Sequence, residues 1–344
     1  MTENACIRSN LPLPDLRQAR NTMRGLRYLL FGALCAFAAA PPGAIAQAWP
    51  AKPVRILITF PPGGPSEILT RLVNEKLQAA LGQPFVVENR AGAGGNVGAD
   101  AVAKSPPDGY LFGVTTDTLF TVNPHVYTRM PFDVWKDIVP VTLLGSFSQT
   151  MVCNPSVPVK SLRDLLDLAK RERITYASGG PGVPGHLAAE LLLSMTSTNM
   201  VHVPYKGPAA ATADVMGGQV NCGFLATPTV MPQIKSGKLK GIAVSTTTRS
   251  PLAPGIPTAA EAGVAGFDAP FYLVLFAPKE ISAQVMGAMN REVVKALSAP
   301  EIKQRAASLD IVTLGGSPEE ASKTLHAIAD KWAPVVKRIG LKLD

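Results

Sequence analysis

Three times in this sequence an apolar, strand-like run ends in a turn crowded with glycine and proline. Each turn then opens a segment with helical periodicity: PPGGPSE at 61–67, SGGPGVPGH at 178–186 and PYKGPAA at 204–210. The first is the clearest. Val54–Phe60 is apolar, and Leu69, Leu72, Val73, Leu77 and Ala80 fall on one helical face behind the turn. Pro65 suits the first helical turn and Ser66 suits a cap. A strand, turn and helix start in that order leave backbone N–H groups unpaired beside the positive end of a helix dipole, an arrangement that favours an anion. A single such turn is as often a plain structural connection. Three of them, all at strand ends, favour a binding cleft, because ligands of open α/β sheets lie outside the carboxyl ends of the strands.

The rest of the chain alternates in the same manner. Strand-like runs recur at 85–88, 110–115, 138–144, 150–153, 174–177, 200–203, 220–225, 239–245 and 271–277, with helical patterns between and after them. Short connections between alternating elements predict parallel α/β layers. With 344 residues there is room for two units. The predicted organisation is a two-lobed α/β fold of segments 47–150, 151–268 and 269–344, the last returning to the first lobe. Crossovers near 146–153 and 265–272 would leave a cleft between the lobes.

Residues 1–46 read as a secretory leader. Arg17, Arg20, Arg24 and Arg27 precede the apolar run Tyr28–Ala40, and Ala44-Ile45-Ala46 supplies a small-x-small cleavage site. Translation from Met23 would give a shorter n-region, and Leu34 before Cys35 argues against a lipid anchor. Loss of this segment removes five of the 33 basic and two of the 25 acidic residues, leaving a net charge of +5. That mild excess draws in small anions, yet no Lys/Arg cluster reads as a nucleic-acid surface. Cys153 and Cys222 survive cleavage in apolar runs. Buried free thiols are the default reading, with a disulfide permitted by export.

Signatures of catalysis are missing. There is no G-x-S-x-G elbow, C-x-x-C or H-E-x-x-H, and His125, His186, His202 and His326 show no metal-ligand spacing. His186, in a first helical turn, reads as a packed or capping residue. ENRAGAGGNVGAD at 88–100 misses the dinucleotide pattern, because Val97 stands where the third glycine belongs. No cofactor or metal is expected.

Taken together, WPAKPVRILITFPPGGPSE, VVENRAGAGGNVGADAVAKSPPDGY, NPSVPVKSLRDLLDLAK, YASGGPGVPGHLAAELL, VHVPYKGPAAATADVMGGQV and IPTAAEAGVAGF resemble the Bug-type solute receptors of tripartite tricarboxylate transporters, from about residue 49 to the C-terminus. The resemblance implies a periplasmic binding protein of the type II, flytrap kind. Such a receptor is a monomer that binds a small carboxylate and hands it to integral membrane transporter subunits. By motif, ligand contacts fall on Pro62, Gly63, Ser66, Thr116, Ser178, Gly179, Gly182 and Tyr205. Departures from the family pattern add Glu67 and Asp117, the first expected to reach into the cleft and the second to disfavour a second ligand carboxylate. Leu225-Ala226 after Phe224, and Pro270-Phe271-Tyr272, are more apolar than the pattern. These changes imply a ligand with one carboxylate and an apolar or aromatic body. A ligand sensor for a membrane signalling protein is the alternative, and an exported hydrolase a more distant one.

Overall fold

The computed structural model describes residues 49–343. The leader, its cleavage site and the choice between Met1 and Met23 lie outside them.

Two sheets carry the fold. In chain order, β1 (Val54–Ile58), α1 (Pro65–Leu81), β2 (Phe85–Asn89), α2 (Asn96–Ala103), β3 (Leu111–Thr116), α3 (Thr118–Thr121), α4 (Asn123–Val126) and β4 (Ile138–Phe147) come first. Next are β5 (Gln149–Cys153), α5 (Leu162–Ala169), β6 (Thr175–Ser178), α6 (Pro184–Thr196), β7 (Val201–Pro204), α7 (Pro208–Met216), β8 (Cys222–Ala226), α8 (Thr227–Lys235) and β9 (Lys240–Val244). The chain ends with β10 (Phe271–Pro278), α9 (Ala283–Ser298), α10 (Pro300–Ala307), β11 (Ile311–Gly315) and α11 (Pro318–Ile339). The first sheet runs β11-β4-β10-β3-β1-β2 and the second β7-β6-β8-β5-β9. The chain therefore changes sheets at Ser148 and again between Val244 and Phe271.

The expectation of parallel layers holds only in part. β1 is parallel to β2 and β3, and β6 to β7 and β8. β10 is antiparallel to β3 and β4, β11 to β4, and β5 to β8 and β9. Two of the reversed strands, β5 and β10, are those that follow the two changes of sheet; β11 runs with β10 on the other side of β4. A chain that crosses over enters its new sheet without an intervening helix to turn it round, so it runs against its neighbours.

Local sequence explains most helix ends. Ser161 accepts the Asp164 N–H at 3.1 Å and opens α5. Ser317 and Glu320 form a reciprocal capping box at the start of α11. Gly82 and Gly340 close α1 and α11 in the left-handed conformation. Ser66 is no cap: it lies inside the first turn of α1, and Gly64 holds the N-cap position.

Leu57, Phe120, Val274, Phe276 and Leu325 share a core beneath the first sheet, which ties α11 back to it. Val152, Ala177, Val215, Leu225 and Leu239 share the core of the second. Cys153 and Cys222 face one another across the β5–β8 ladder and are joined by a disulfide. This corrects the free-thiol reading: 69 residues separate the two in sequence, and only strand register brings them opposite. Among the described residues, no helix is long and apolar enough to cross a membrane.

Candidate functional site

Four helices begin at one cavity. The N-cap residues of α1 (Gly64), α6 (Val183), α7 (Gly207) and α8 (Ala226) all line it. None of these four starts carries a side-chain cap, and each has proline in its first positions. The positive ends of four dipoles are thereby directed at a common space, although the Thr227 N–H of α8 is given to the Ser148 carbonyl at 3.0 Å. The cavity, of about 60 Å³, is lined by no charged side chain. A single water needs roughly 10–15 Å³ of the same measure, so the space suits a small molecule.

The walls come from both sheets. Phe60, Pro61 and Ser66 follow β1 and Thr116 ends β3 of the first, whereas Gly179, Gly185, Phe224 and Leu225 belong to the side of the second. The two sides touch: a Cβ on Gly207 would lie 3.1 Å from Pro61, and one on Gly64 would lie 3.8 Å from Pro208. Gly185 is the tightest position. A Cβ there would run into the carbonyl oxygen of Phe224, so only glycine lets α6 start this close to β8.

Of the ten residues expected at the site, Ser66, Thr116 and Gly179 line the cavity. Pro62 and Gly63 are exposed and do not line it. Glu67 does not extend into the cavity. Its Oε2 accepts the Gly63 N–H at 2.7 Å, and its Oε1 accepts both Nε and Nη2 of Arg71 at 2.8 and 2.7 Å. Burial alone would raise its pKa, but the Gly63 N–H and the Arg71 guanidinium together hold it below the ordinary value. The longer side chain is thus a brace for its own turn. Gly63, at φ 84°, needs that brace in a conformation few other residues adopt.

Asp117 is fully buried next to Thr116 and is absent from the cavity wall. Its Oδ1 accepts the Tyr272 N–H at 2.9 Å, and its own N–H donates to the Tyr272 carbonyl at 2.9 Å. It therefore clamps the end of β3 to the start of β10, where the chain re-enters the first sheet. Oδ2 is buried without a partner. Burial pushes its pKa up to about 7, against the lowering effect of the surrounding N–H groups.

The second glycine turn is braced in the same way as the first. Gly182 donates its N–H to Nδ1 of His186 at 3.0 Å and packs beside Leu343. Ser178 is wholly buried; its Oγ donates to the Gly180 carbonyl at 2.9 Å and lies 2.7 Å from Nε2 of His202. The rings of His202 and His186 stack at 4.0 Å, and His202 stacks on Tyr176 at 4.9 Å. A serine–histidine pair is therefore present, although no sequence motif joins the two residues. Its hydroxyl donates to a backbone carbonyl within the turn and does not line this cavity. Tyr205 donates its hydroxyl to Oδ2 of Asp214 at 2.6 Å, away from the cavity, and its N–H to the Ser178 carbonyl.

Sequence reasoning did not single out Gln149 or Gly185 as site residues. Gln149 is the first residue after the change of sheet at Ser148, just ahead of the strand-like run 150–153, and neither periodicity nor a turn motif marks it.

Comparison with known proteins bears on the whole described region. The family model described as "Tripartite tricarboxylate transporter family receptor" matches residues 69–341. Protein BugT of Bordetella pertussis is 33% identical over 301 residues, covering 87% of this chain and 92% of that protein. The R. palustris protein Rpa4515, solved with adipate, superposes with a TM-score of 0.83 at 32% identity, covering 86% of this chain and 99% of that one. The periplasmic binding protein BugD superposes with a TM-score of 0.81 at 29% identity, covering 86% and 99%.

Proposed function

Because this chain belongs to the tripartite tricarboxylate transporter receptor family, a family of solute receptors and not of enzymes, we propose that it captures a carboxylate with one anionic group on a compact apolar body. The observation that carries this reading is the convergence of four uncapped helix starts on an uncharged cavity. A carboxylate placed there is held by backbone N–H groups and dipoles, with no cation needed. Phe60, Val183, Phe224 and Leu225 supply apolar surface for the remainder. A second carboxylate would find no charged partner among the lining side chains, which is why a monoanion fits better than a tricarboxylate.

In this reading segments 47–150 and 269–344 form one lobe and 151–268 the other, and ligand holds the two together. The closed monomer then docks on integral membrane subunits in the periplasm, after removal of a leader near Ala46. Capture and release require no bond to be broken; ligand only shifts the balance between open and closed forms.

Thermal unfolding tests this reading. A ligand that binds only the folded state stabilises it by about 2.7 kcal/mol at a hundredfold excess over its dissociation constant, a rise of several degrees. Butyrate, benzoate and related monocarboxylates are expected to raise the melting temperature. A panel on which citrate alone does so would overturn the reading.

A further inference from the structure

One side chain grips the chain at both of its changes of sheet. Asp310 stands just ahead of β11, the edge strand of the first sheet. Its Oδ2 accepts the hydroxyl of Ser148, at the first change of sheet, at 2.8 Å. Its Oδ1 accepts the hydroxyl of Ser250, in the segment between β9 and β10 where the chain returns. All three residues are buried, and 162 and 60 residues of sequence separate Asp310 from its two partners.

Local structure does not ask for an aspartate here. The position, just beyond α10, has φ 61°, a left-handed conformation that glycine adopts freely and most side chains resist. Burial also pushes the carboxyl pKa up, against the lowering effect of the Ser250 and Ser148 hydroxyls. A carboxylate that is both buried and left-handed points to a task for its two oxygens.

The grip reaches the cavity through a chain of hydroxyls. Each hydroxyl has one proton to give. Ser148 gives its proton to Asp310, so the Thr227 hydroxyl donates to Ser148, and the Thr150 hydroxyl donates to Thr227 at 2.8 Å. Bonds ordered in one direction reinforce one another. Thr227 is the first residue of α8, and its N-cap Ala226 lines the cavity, as does Gln149 beside Ser148. Asp310, Ser148, Ser250 and Thr227 are themselves absent from the cavity wall.

We propose that Asp310 is a positioning residue for ligand capture. By holding both changes of sheet, it fixes the start of α8 against the start of α1, so that helices from the two sheets keep facing one cavity. It touches no ligand and acts through Ser148 and Thr227. The choice of probe rests on the carboxylate-capture reading above.

The test is isothermal titration of butyrate, benzoate, succinate and adipate into the wild-type protein, Asp310→Gly and Asp310→Asn. Glycine suits the left-handed backbone, so the first variant removes both oxygens without straining the chain. Asparagine keeps the length of the side chain, accepts from one hydroxyl and donates to the other, and so preserves the grip. The acid that wild type binds most tightly is expected to bind Asp310→Gly at least about 5-fold more weakly, and Asp310→Asn within about twofold of wild type. A purely structural role would change the melting temperature and leave the affinity of the folded protein alone. If Asp310→Gly binds within about twofold of wild type, or Asp310→Asn as weakly as Asp310→Gly, the assignment of Asp310 falls while carboxylate capture stands. If wild type binds none of the four acids, carboxylate capture falls, and small-angle scattering of the ligand-free proteins decides on Asp310. A larger radius of gyration in Asp310→Gly than in wild type then keeps the assignment, and equal radii overturn it.

Discussion

The N–H of Gly182 donates to Nδ1 of His186 four residues on, at 3.0 Å, and the N–H of Gly63 donates to Oε2 of Glu67 four residues on, at 2.7 Å. Two turns from different sheets are thus held by one device, a first-turn side chain that reaches back to a left-handed glycine. Glu67, expected to reach into the cleft, is spent on the shape of its turn, and His186 is the packed residue its position in the first helical turn suggests.

The histidine brace carries a pH dependence. Burial, with His202 adding to it, lowers His186 to about 3, and burial lowers His202 to about 4. From pH 6.5 down to those values the unfolded chain binds more protons than the folded one, so stability rises with pH across this window. Their contribution is complete above pH 6.5 and is lost as pH falls. Each fully coupled histidine contributes a slope of about 1.4 kcal/mol per pH unit. Denaturant unfolding between pH 4.5 and 7 is expected to lose about half of this slope in His186→Gln. An unchanged slope would mean that His186 does not titrate with folding.

The glutamate brace is tested by its charge and its reach. Glu67→Gln keeps an acceptor for Gly63 and loses the Arg71 pair, which is half exposed on the arginine side. Its cost is expected to be below about 1 kcal/mol. Glu67→Ala also strands the Gly63 N–H and is expected to cost about 1–2 kcal/mol. Equal losses in the two variants, read by urea unfolding, would show that the turn does not depend on the acceptor.

Asp117 works against the histidines. Its pKa is raised from 3.8 to about 7, so the folded state binds the extra proton, and stability from this group is present below pH 3.8 and lost as pH rises through 7. Asp117→Asn removes the buried charge and leaves Oδ1 to accept from Tyr272. At pH 8 the variant is expected to be more stable than wild type by about 1–3 kcal/mol, and its stability should climb more steeply between pH 4 and 7. A less stable variant at pH 8 would show that the carboxylate is needed in its charged form.

The Cys153–Cys222 disulfide closes a long loop within the second sheet. Replacing both cysteines by alanine is expected to cost about 3–4 kcal/mol. Cys153 lies four residues along β5 from Gln149, about 13 Å from the cavity, so affinity for a carboxylate should be unchanged. A loss of affinity matching the loss of stability would link the disulfide to the cavity itself.

Much of this fold is legible in the sequence because its signals are local. The three glycine–proline turns each open a helix as their periodicity says, and Ser161 caps α5 as its spacing with Asp164 suggests. What escapes is long-range. β11 is marked by no motif; its exposed Val312 and Leu314 blur the alternation expected of a strand on a core. The reversal of β5 and β10 follows from where the chain changes sheets, which no local window records. At the site, sequence identifies turns but not directions. Glu67, Asp117 and Tyr205 occupy suggestive positions, yet each bonds a neighbour, Arg71, Tyr272 or Asp214, and none lines the cavity. Gln149 escapes for the opposite reason, since only burial shows that its amide has no partner.

Isothermal titration of a matched pair, butyrate and butyramide, with citrate as the third ligand, bears most directly on capture by uncharged donors. The two members of the pair share an apolar tail and differ in the group offered to the four helix starts. Butyrate is expected to bind at least about 100-fold more tightly than butyramide and more tightly than citrate. Butyramide binding as well as butyrate, or citrate binding best, would contradict a cavity built around a single carboxylate.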